Sequence, residues 1–382
     1  MGHRVAHRCL SALASGAVLS VLAVLVLLPA PAAGPVQPLA APAAEPPAAA
    51  GAPPSCARVL AGMTPRAKLA QRLVVGVDAG DVAGTVETVR ETQVGGIFLG
   101  GNDTALLTDQ ALRKVQAVAR IPVSVAVDDE GGRVQRIEML DGQLPSARSM
   151  AKRPVAEVRA LAEERGRKLA ARGVTVDYAP VADVSDQPAN AVIGDRSFSN
   201  DPDVVTTYAG AFAEGLRAAG ITPVFKHFPG HGHSSGDSHR GRVSTPPLDQ
   251  LRAGDLRPYE TLPQPGDQVM VGHLDVPGLT GDLPTSLTPE AYRLLREDYR
   301  FDGVVVTDDL GAMKAITSRF TVAQAVTRAL AAGADQALWS AGGDVAPVLT
   351  ALERALADGT LEPAANDTAV ARVLEMKGLC TR

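Results

Sequence analysis

Short apolar runs alternate with longer amphipathic stretches from residue 56 to the C-terminus. The runs at 73–77, 96–99, 122–127, 174–178, 222–225, 268–271, 303–307 and 336–339 have the length and residue types of strands. Between them, 104–119, 155–171, 201–219 and 321–332 read as helices. Asp201-Pro202 and Thr288-Pro289 are helix starts, with Pro just inside the cap. Gly173, Gly220 and Gly333 stand where helices should stop. Strands alternating with helices predict a parallel α/β fold, and the number eight predicts a closed (β/α)8 TIM barrel, one catalytic domain over residues 55–382. An open doubly wound sheet is the competing arrangement. No Gly-rich dinucleotide fingerprint follows the first strand, and the lone pair Gly100-Gly101 after the second is weak evidence for phosphate binding.

The N-terminal region breaks this pattern. Arg4 and Arg8 precede a stretch, Cys9 to Ala44, without a charged side chain, and Ala30-Pro31-Ala32 has the small-x-small form of a signal peptidase site. Residues 1–32 therefore read as a signal peptide. The alternative is an uncleaved anchor, since about 20 apolar residues can cross a bilayer. Residues 33–54 are almost entirely Ala, Pro and Gly, with Glu45 the only charge, and read as a stiff extended spacer. The expected location is outside the cytoplasm, secreted or associated with the cell envelope. Cysteine usage agrees with export: beyond Cys9 the chain has only Cys56 and Cys380, one at each end of the folded region, where a disulfide would tie the termini together. Two separate thiols are the alternative.

Composition narrows the function. Hydrophobic residues make up 46% of the 382 residues and charged residues 21%, which rules out a wholly disordered chain. A formal net charge of −5 argues against a nucleic-acid partner held through its phosphates. The single long apolar segment excludes a polytopic membrane protein and leaves membrane contact only through an N-terminal anchor.

Polar residues cluster immediately after the strands, where a barrel keeps its chemistry. Asp128-Asp129-Glu130-Gly131-Gly132-Arg133 follows the third strand and Asp183 comes shortly after the fourth. His273 and Asp275 follow the sixth, and Asp308-Asp309 closes the apolar seventh. Only one acid of that last pair faces the barrel mouth, since neighbours alternate, and periodicity leaves open which. The densest signal is 226–239, which holds four of the five histidines beyond residue 32. Gly230, Gly232, Gly236 and Gly241 make this segment read as mobile. In Asp237-Ser238-His239 a carboxylate stands near an imidazole, a pairing that stabilises a protonated His and suits a general acid. A solvated loop with turn-capping histidines is the bland reading. Zinc is the rival, through His231, His233, Asp237 and His239, although Lys226 and Arg240 repel a cation there.

Lys226-His227-Phe228-Pro229-Gly230-His231-Gly232, followed by Asp237-Ser238-His239, closely resembles bacterial β-N-acetylglucosaminidases of glycoside hydrolase family 3, which trim peptidoglycan fragments. Residues 128–136, 178–183, 194–198 and 306–310 resemble further segments of that family, in family order. The resemblance implies a (β/α)8 barrel of the shorter kind that lacks a second sandwich domain, and no cofactor. It implies Asp308 as covalent nucleophile and His239 as acid/base with Asp237 as its partner. Asp128, Arg136, Arg196, Lys226 and His227 are implied to hold the terminal sugar of an N-acetylglucosamine-containing glycan. An export leader, a spacer and two terminal cysteines depart from a cytoplasmic recycling role.

Other readings stay open at this stage. A neutral imidazole does not repel an incoming anion, so a phosphorylase is a sub-alternative, and a non-catalytic wall-binding protein and a metal-dependent barrel hydrolase are further ones. Lys226 and Arg196 also suit structural ion pairs, and Glu130 suits a cap. His273 reads as a core or supporting histidine, and Trp339 fits core packing and sugar stacking equally.

Overall fold

The computed structural model describes residues 53–382. The leader and all of the spacer except Pro53 and Pro54 lie outside the described residues. Eight parallel strands form one sheet: β1 (Leu73–Val77), β2 (Gly96–Leu99), β3 (Ser124–Val127), β4 (Val176–Asp177), β5 (Thr222–Phe228), β6 (Gln268–Val271), β7 (Val304–Thr307) and β8 (Ala337–Trp339). Each strand pairs with its successor through β7, and β1 pairs with β8. Between β7 and β8 a parallel bridge, Val306 with Gln336, and a hydrogen bond from Thr307 N–H to Gln336 O (3.0 Å) bring the sheet into a barrel.

Two layers of apolar side chains follow from strand alternation. Val74, Phe98, Ala126, Val176, Val224, Met270, Val306 and Leu338, one from each strand in order, form the inner layer. Their strand neighbours, such as Ile97, Val125, Phe225 and Val305, join the larger core between barrel and helices. Burying each large aliphatic side chain is worth about 1.5–3 kcal/mol. A substitution of one parity therefore weakens the barrel interior, and one of the other parity weakens the helix packing.

Departures from the expected elements have local causes. The stretch 104–119 is not one helix: a 3-10 turn (Ala105–Leu107) is separated from the helix Ala111–Val118 by Asp109 and Gln110, both at positive φ (47° and 55°). β4 pairs over only two residues, because Pro180 lacks an N–H to continue the ladder. β5 runs three residues further than the apolar pattern indicated, through Lys226, His227 and Phe228, after a register shift against β6 between Phe225 and Phe228. Of the expected helix starts, Asp201 caps Pro202–Ala218 through Asp203 N–H (2.9 Å). Thr288 instead donates its hydroxyl to Leu283 and Pro284 carbonyls.

The two ends of the described chain meet. Cys56 and Cys380 are joined by a disulfide with their Cα atoms 4.9 Å apart. Cys56 N–H donates to Thr381 O (2.9 Å) and Thr381 N–H to Pro54 O (3.1 Å), around a small apolar cluster of Leu60, Val370 and Leu374.

Candidate active site

Two residues beyond five of the eight inner-layer side chains, on the same parity, stand Asp128, Tyr178, Lys226, Asp308 and Ser340. All five line a cavity of about 470 Å³ at the C-terminal ends of the strands, together with Glu130, Arg136, Arg196, His227, His231 and His239. Strand alternation thus lifts a charged ring directly onto an apolar floor of Phe98, Met270 and Leu338.

The charges in this ring are paired. Lys226 Nζ donates to Asp128 Oδ1 (2.6 Å) and lies 2.6 Å from Glu130 Oε1. Glu130 also accepts two hydrogen bonds from Arg196, each 2.8 Å. Burial works against the Lys226 ammonium, but Asp128 and Glu130 outweigh it and hold its pKa above the ordinary lysine value. Burial likewise opposes ionisation of Glu130, and Arg196 and Lys226 reverse this, so its carboxyl lies well below the usual range. Glu130 is therefore a fixed anion between two cations, neither a helix cap nor a proton donor. Arg136 stands 3.9 Å from Asp128, and its Nε is a buried donor without a protein acceptor among the described residues. Asp129, of opposite parity, leaves the mouth: it sits 2.7 Å from Arg165 behind the barrel wall and accepts Arg136 N–H (2.7 Å).

His227 is held by Asp183, a residue without an assigned role in the sequence reading. Asp183 is fully buried. One of its oxygens lies 2.6 Å from His227 Nδ1, and the other accepts His227 N–H (3.2 Å) and His231 N–H (2.7 Å). Asp183 thereby fixes the His227 ring and the turn after β5 together.

The two acids that end β7 separate cleanly. Asp309 Oδ1 accepts Gly311, Ala312 and Ser340 N–H groups (2.8, 3.2 and 2.9 Å), and its Oδ2 accepts the Ser340 hydroxyl. Its carboxylate is committed to joining the ends of β7 and β8. Asp308 shares the parity of Val306; its Oδ1 accepts Asp309 N–H (2.8 Å), and its Oδ2 has no protein donor among the described residues. Burial opposes ionisation of Asp308, but His227, the Asp309 N–H and Lys226 prevail and hold its carboxyl below the usual aspartate range. His273 is buried, 2.9 Å from Asp309 O and 2.7 Å from Ser286 Oγ. A carbonyl only accepts, so Nε2 carries the proton and Nδ1 accepts from the serine. Burial pushes its pKa down, so it supports the end of β7 as a neutral ring.

Beyond Phe228 the chain forms a two-part loop. The first part is packed: a Cβ on Gly232 would lie 1.8 Å from Val184 O, and Gly230 (φ 133°) packs against Asp255. The second part is open: a Cβ added at Gly236 or Gly241 would meet nothing within 4 Å. Here His239, with its side chain 57% exposed, presents Nδ1 to Asp237 Oδ1 at 2.8 Å while lining the cavity. Burial opposes the Asp237 charge, but the His239 donors and Arg240 together bring its pKa below the ordinary value. The arrangement supplies a buried carboxylate with one uncommitted oxygen, a His–Asp pair on the facing loop, and a ring of paired charges suited to sugar hydroxyls.

A family model described as Glycosyl hydrolase family 3 N terminal domain matches residues 64–376. The chain belongs to glycoside hydrolase family 3. It is 51% identical over 336 residues to the Mycobacterium tuberculosis protein named Beta-hexosaminidase LpqI, covering 85% of this chain and 86% of that one. A Pseudomonas aeruginosa protein named Beta-hexosaminidase is 35% identical over 277 residues, 68% of this chain and 80% of its own. The solved structure of M. tuberculosis LpqI superposes with a TM-score of 0.83 at 51% identity, covering 86% of this chain and 97% of that one. A family 3 β-N-acetylglucosaminidase from Paenibacillus superposes with a TM-score of 0.76 at 28% identity, covering 83% and 62%. The chain is a glycoside hydrolase with the family's (β/α)8 barrel.

Within this family 3 barrel, Asp308, His239, Asp128, Arg136, Arg196, Lys226 and His227 all line the one cavity, and Asp237 stands behind His239. The histidine-rich segment does not gather around one point. His231 meets Ser234 (2.8 Å), His233 meets Asp255 (3.0 Å) outside the cavity lining, and His239 meets Asp237. Among the described residues no group of three or more His, Cys, Asp or Glu is placed to hold a metal ion. Trp339 is buried in the outer core, while its neighbours Leu338 and Ser340 line the cavity, so parity removes it from sugar stacking. The expected mobility of Gly230 and Gly232 is corrected by their packing.

Proposed function

We propose that the protein is an exported, retaining exo-β-N-acetylglucosaminidase that removes terminal N-acetylglucosamine from peptidoglycan fragments. The observation that carries this reading is Asp308: inward-facing, held as an anion, with one oxygen uncommitted in a cavity that His239 also lines. The names of the relatives support the substrate class. The leader pattern, the spacer and the terminal disulfide support export.

In the first step Asp308 Oδ2 bonds to the anomeric carbon and the glycosidic C–O bond breaks. His239 Nε2–H gives its proton to the departing oxygen, and the resulting alcohol leaves. Asp237 accepts from Nδ1, which keeps the donor on Nε2 and stabilises the imidazolium that precedes transfer. In the second step the neutral ring takes a proton from water, whose oxygen displaces the Asp308 carboxylate. Two inversions retain the configuration. Arg196, fixed by Glu130, and Lys226 and Asp128, fixed by each other, offer donors and acceptors to the sugar without reorganising.

The test uses residues 55–382 and an aryl N-acetyl-β-glucosaminide. Asp308→Ala is expected to lose about 10⁴-fold or more in turnover, and wild-type release is expected to persist with chelator and without phosphate. Substantial turnover by Asp308→Ala defeats the nucleophile assignment, and a strict need for zinc or phosphate defeats the metal-independent hydrolase. Recovery of the enzyme only from cytosol defeats the export assignment.

A further inference from the structure

The open half of the loop is tethered at one residue between its two unpacked glycines. Ser238 is buried, although Asp237 and His239 on either side of it are not. Its carbonyl accepts Ala315 N–H (3.1 Å), and its hydroxyl donates to the Met313 sulfur (3.4 Å). Both partners lie just past β7. The turn that delivers them, Gly311 and Ala312, is fixed by the Asp309 carboxylate, and Asp309 follows Asp308 directly.

We infer that Met313 and Ser238 form a latch through which the β7 end, carrying Asp308, positions the His239–Asp237 pair over the cavity. They are positioning residues: Met313 touches the loop and not the proton in transit. The geometry requires this division. The neck of the loop is pinned by Ser235 N–H to Ser244 O (2.8 Å) and by Arg242 to Asp275 (2.8 Å), but between Gly236 and Gly241 it is Ser238 that joins the loop to the β7 end and so sets the height of His239 above the cavity. A proton donor displaced by about 1 Å loses on the order of 100-fold in efficiency. The second acid of the Asp308-Asp309 pair thus acquires a purpose, since it holds the turn on which the latch is built. This inference rests on the acid/base reading of His239.

The test separates proton donation from everything else by varying the leaving group. A phenyl N-acetyl-β-glucosaminide needs protonation to depart, whereas the dinitrophenyl analogue scarcely does. His239→Ala is the reference: kcat/KM should fall on the order of 10²–10⁴-fold for the phenyl substrate and far less for the dinitrophenyl one. The Ser238→Ala/Met313→Ala double variant should show the same selectivity at smaller scale, about 10- to 100-fold on phenyl and within about threefold on dinitrophenyl. Met313→Leu keeps the buried volume and removes only the sulfur; it should give a weaker selective loss, and it keeps the question answerable if the double variant does not fold. Equal losses on both substrates, or wild-type values on both, overturn the latch. Equal losses in His239→Ala itself refute the acid assignment, and the latch falls with it.

Discussion

The segment after β5 has two halves made of the same residue types and built for opposite purposes. In 226–233, Lys226, His227 and His231 are buried, and the glycines let backbone approach backbone. In 234–242, Arg240 and His239 are exposed and the glycines face open space. The first half fixes part of a ring of paired charges lining the cavity. The second carries His239, which under the proposed function is the acid/base. Glycine content alone reads the same in both halves; what surrounds each Cα decides whether it means closeness or freedom.

The largest expected effect comes from breaking the rigid half at its charged support. Glu130→Ala leaves the buried Lys226 and the partly exposed Arg196 without their shared anion and should cost about 3–5 kcal/mol in denaturant unfolding; a neutral outcome breaks the picture of a pre-built ring. Next, Gly232→Ala should cost about 3 kcal/mol, because its Cβ must displace the Val184 carbonyl. A smaller and more specific effect concerns pH. Asp308 works as an anion and its pKa lies below the ordinary value, so activity persists above that pKa and is lost as pH falls through it. Burial opposes this charge and His227 is its leading support, so His227→Asn should move the acid limb of kcat/KM to higher pH. An unmoved limb would separate His227 from the nucleophile. Gly236→Ala, in the open half, should change stability by no more than about 0.5 kcal/mol. A loss matching that of Gly232→Ala would erase the distinction between the halves.

Much of this architecture was legible because strand parity and strand count are written in the apolar pattern. The eight runs sit where the sequence places them, and the residues named for the candidate site, apart from Asp237 behind His239, line one cavity. The family resemblance pointed to Asp308, but periodicity could not choose between Asp308 and Asp309, because alternation is relative: packing Val306 against the other seven inner residues fixes which neighbour points inward. Asp183 was visible after the fourth strand but its role was not, because it lies past Pro180, outside any periodic run, and meets His227 only through the fold. The helix expected over 104–119 failed at Asp109-Gln110, where two positive-φ residues without glycine gave no warning. The Ser238–Met313 contact joins segments 75 residues apart, a separation over which sequence carries no distance information.

The central claim is a covalent bond to one of two adjacent acids. A ring-fluorinated aryl N-acetyl-β-glucosaminide, which forms the intermediate but releases it slowly, can be added to the enzyme and the protein digested for mass spectrometry. The account predicts one fluorinated N-acetylglucosaminyl unit per chain, attached at Asp308 and absent from Asp308→Ala. A stable adduct on Asp309 or elsewhere, or turnover of the aryl substrate with no adduct at any residue, would contradict it.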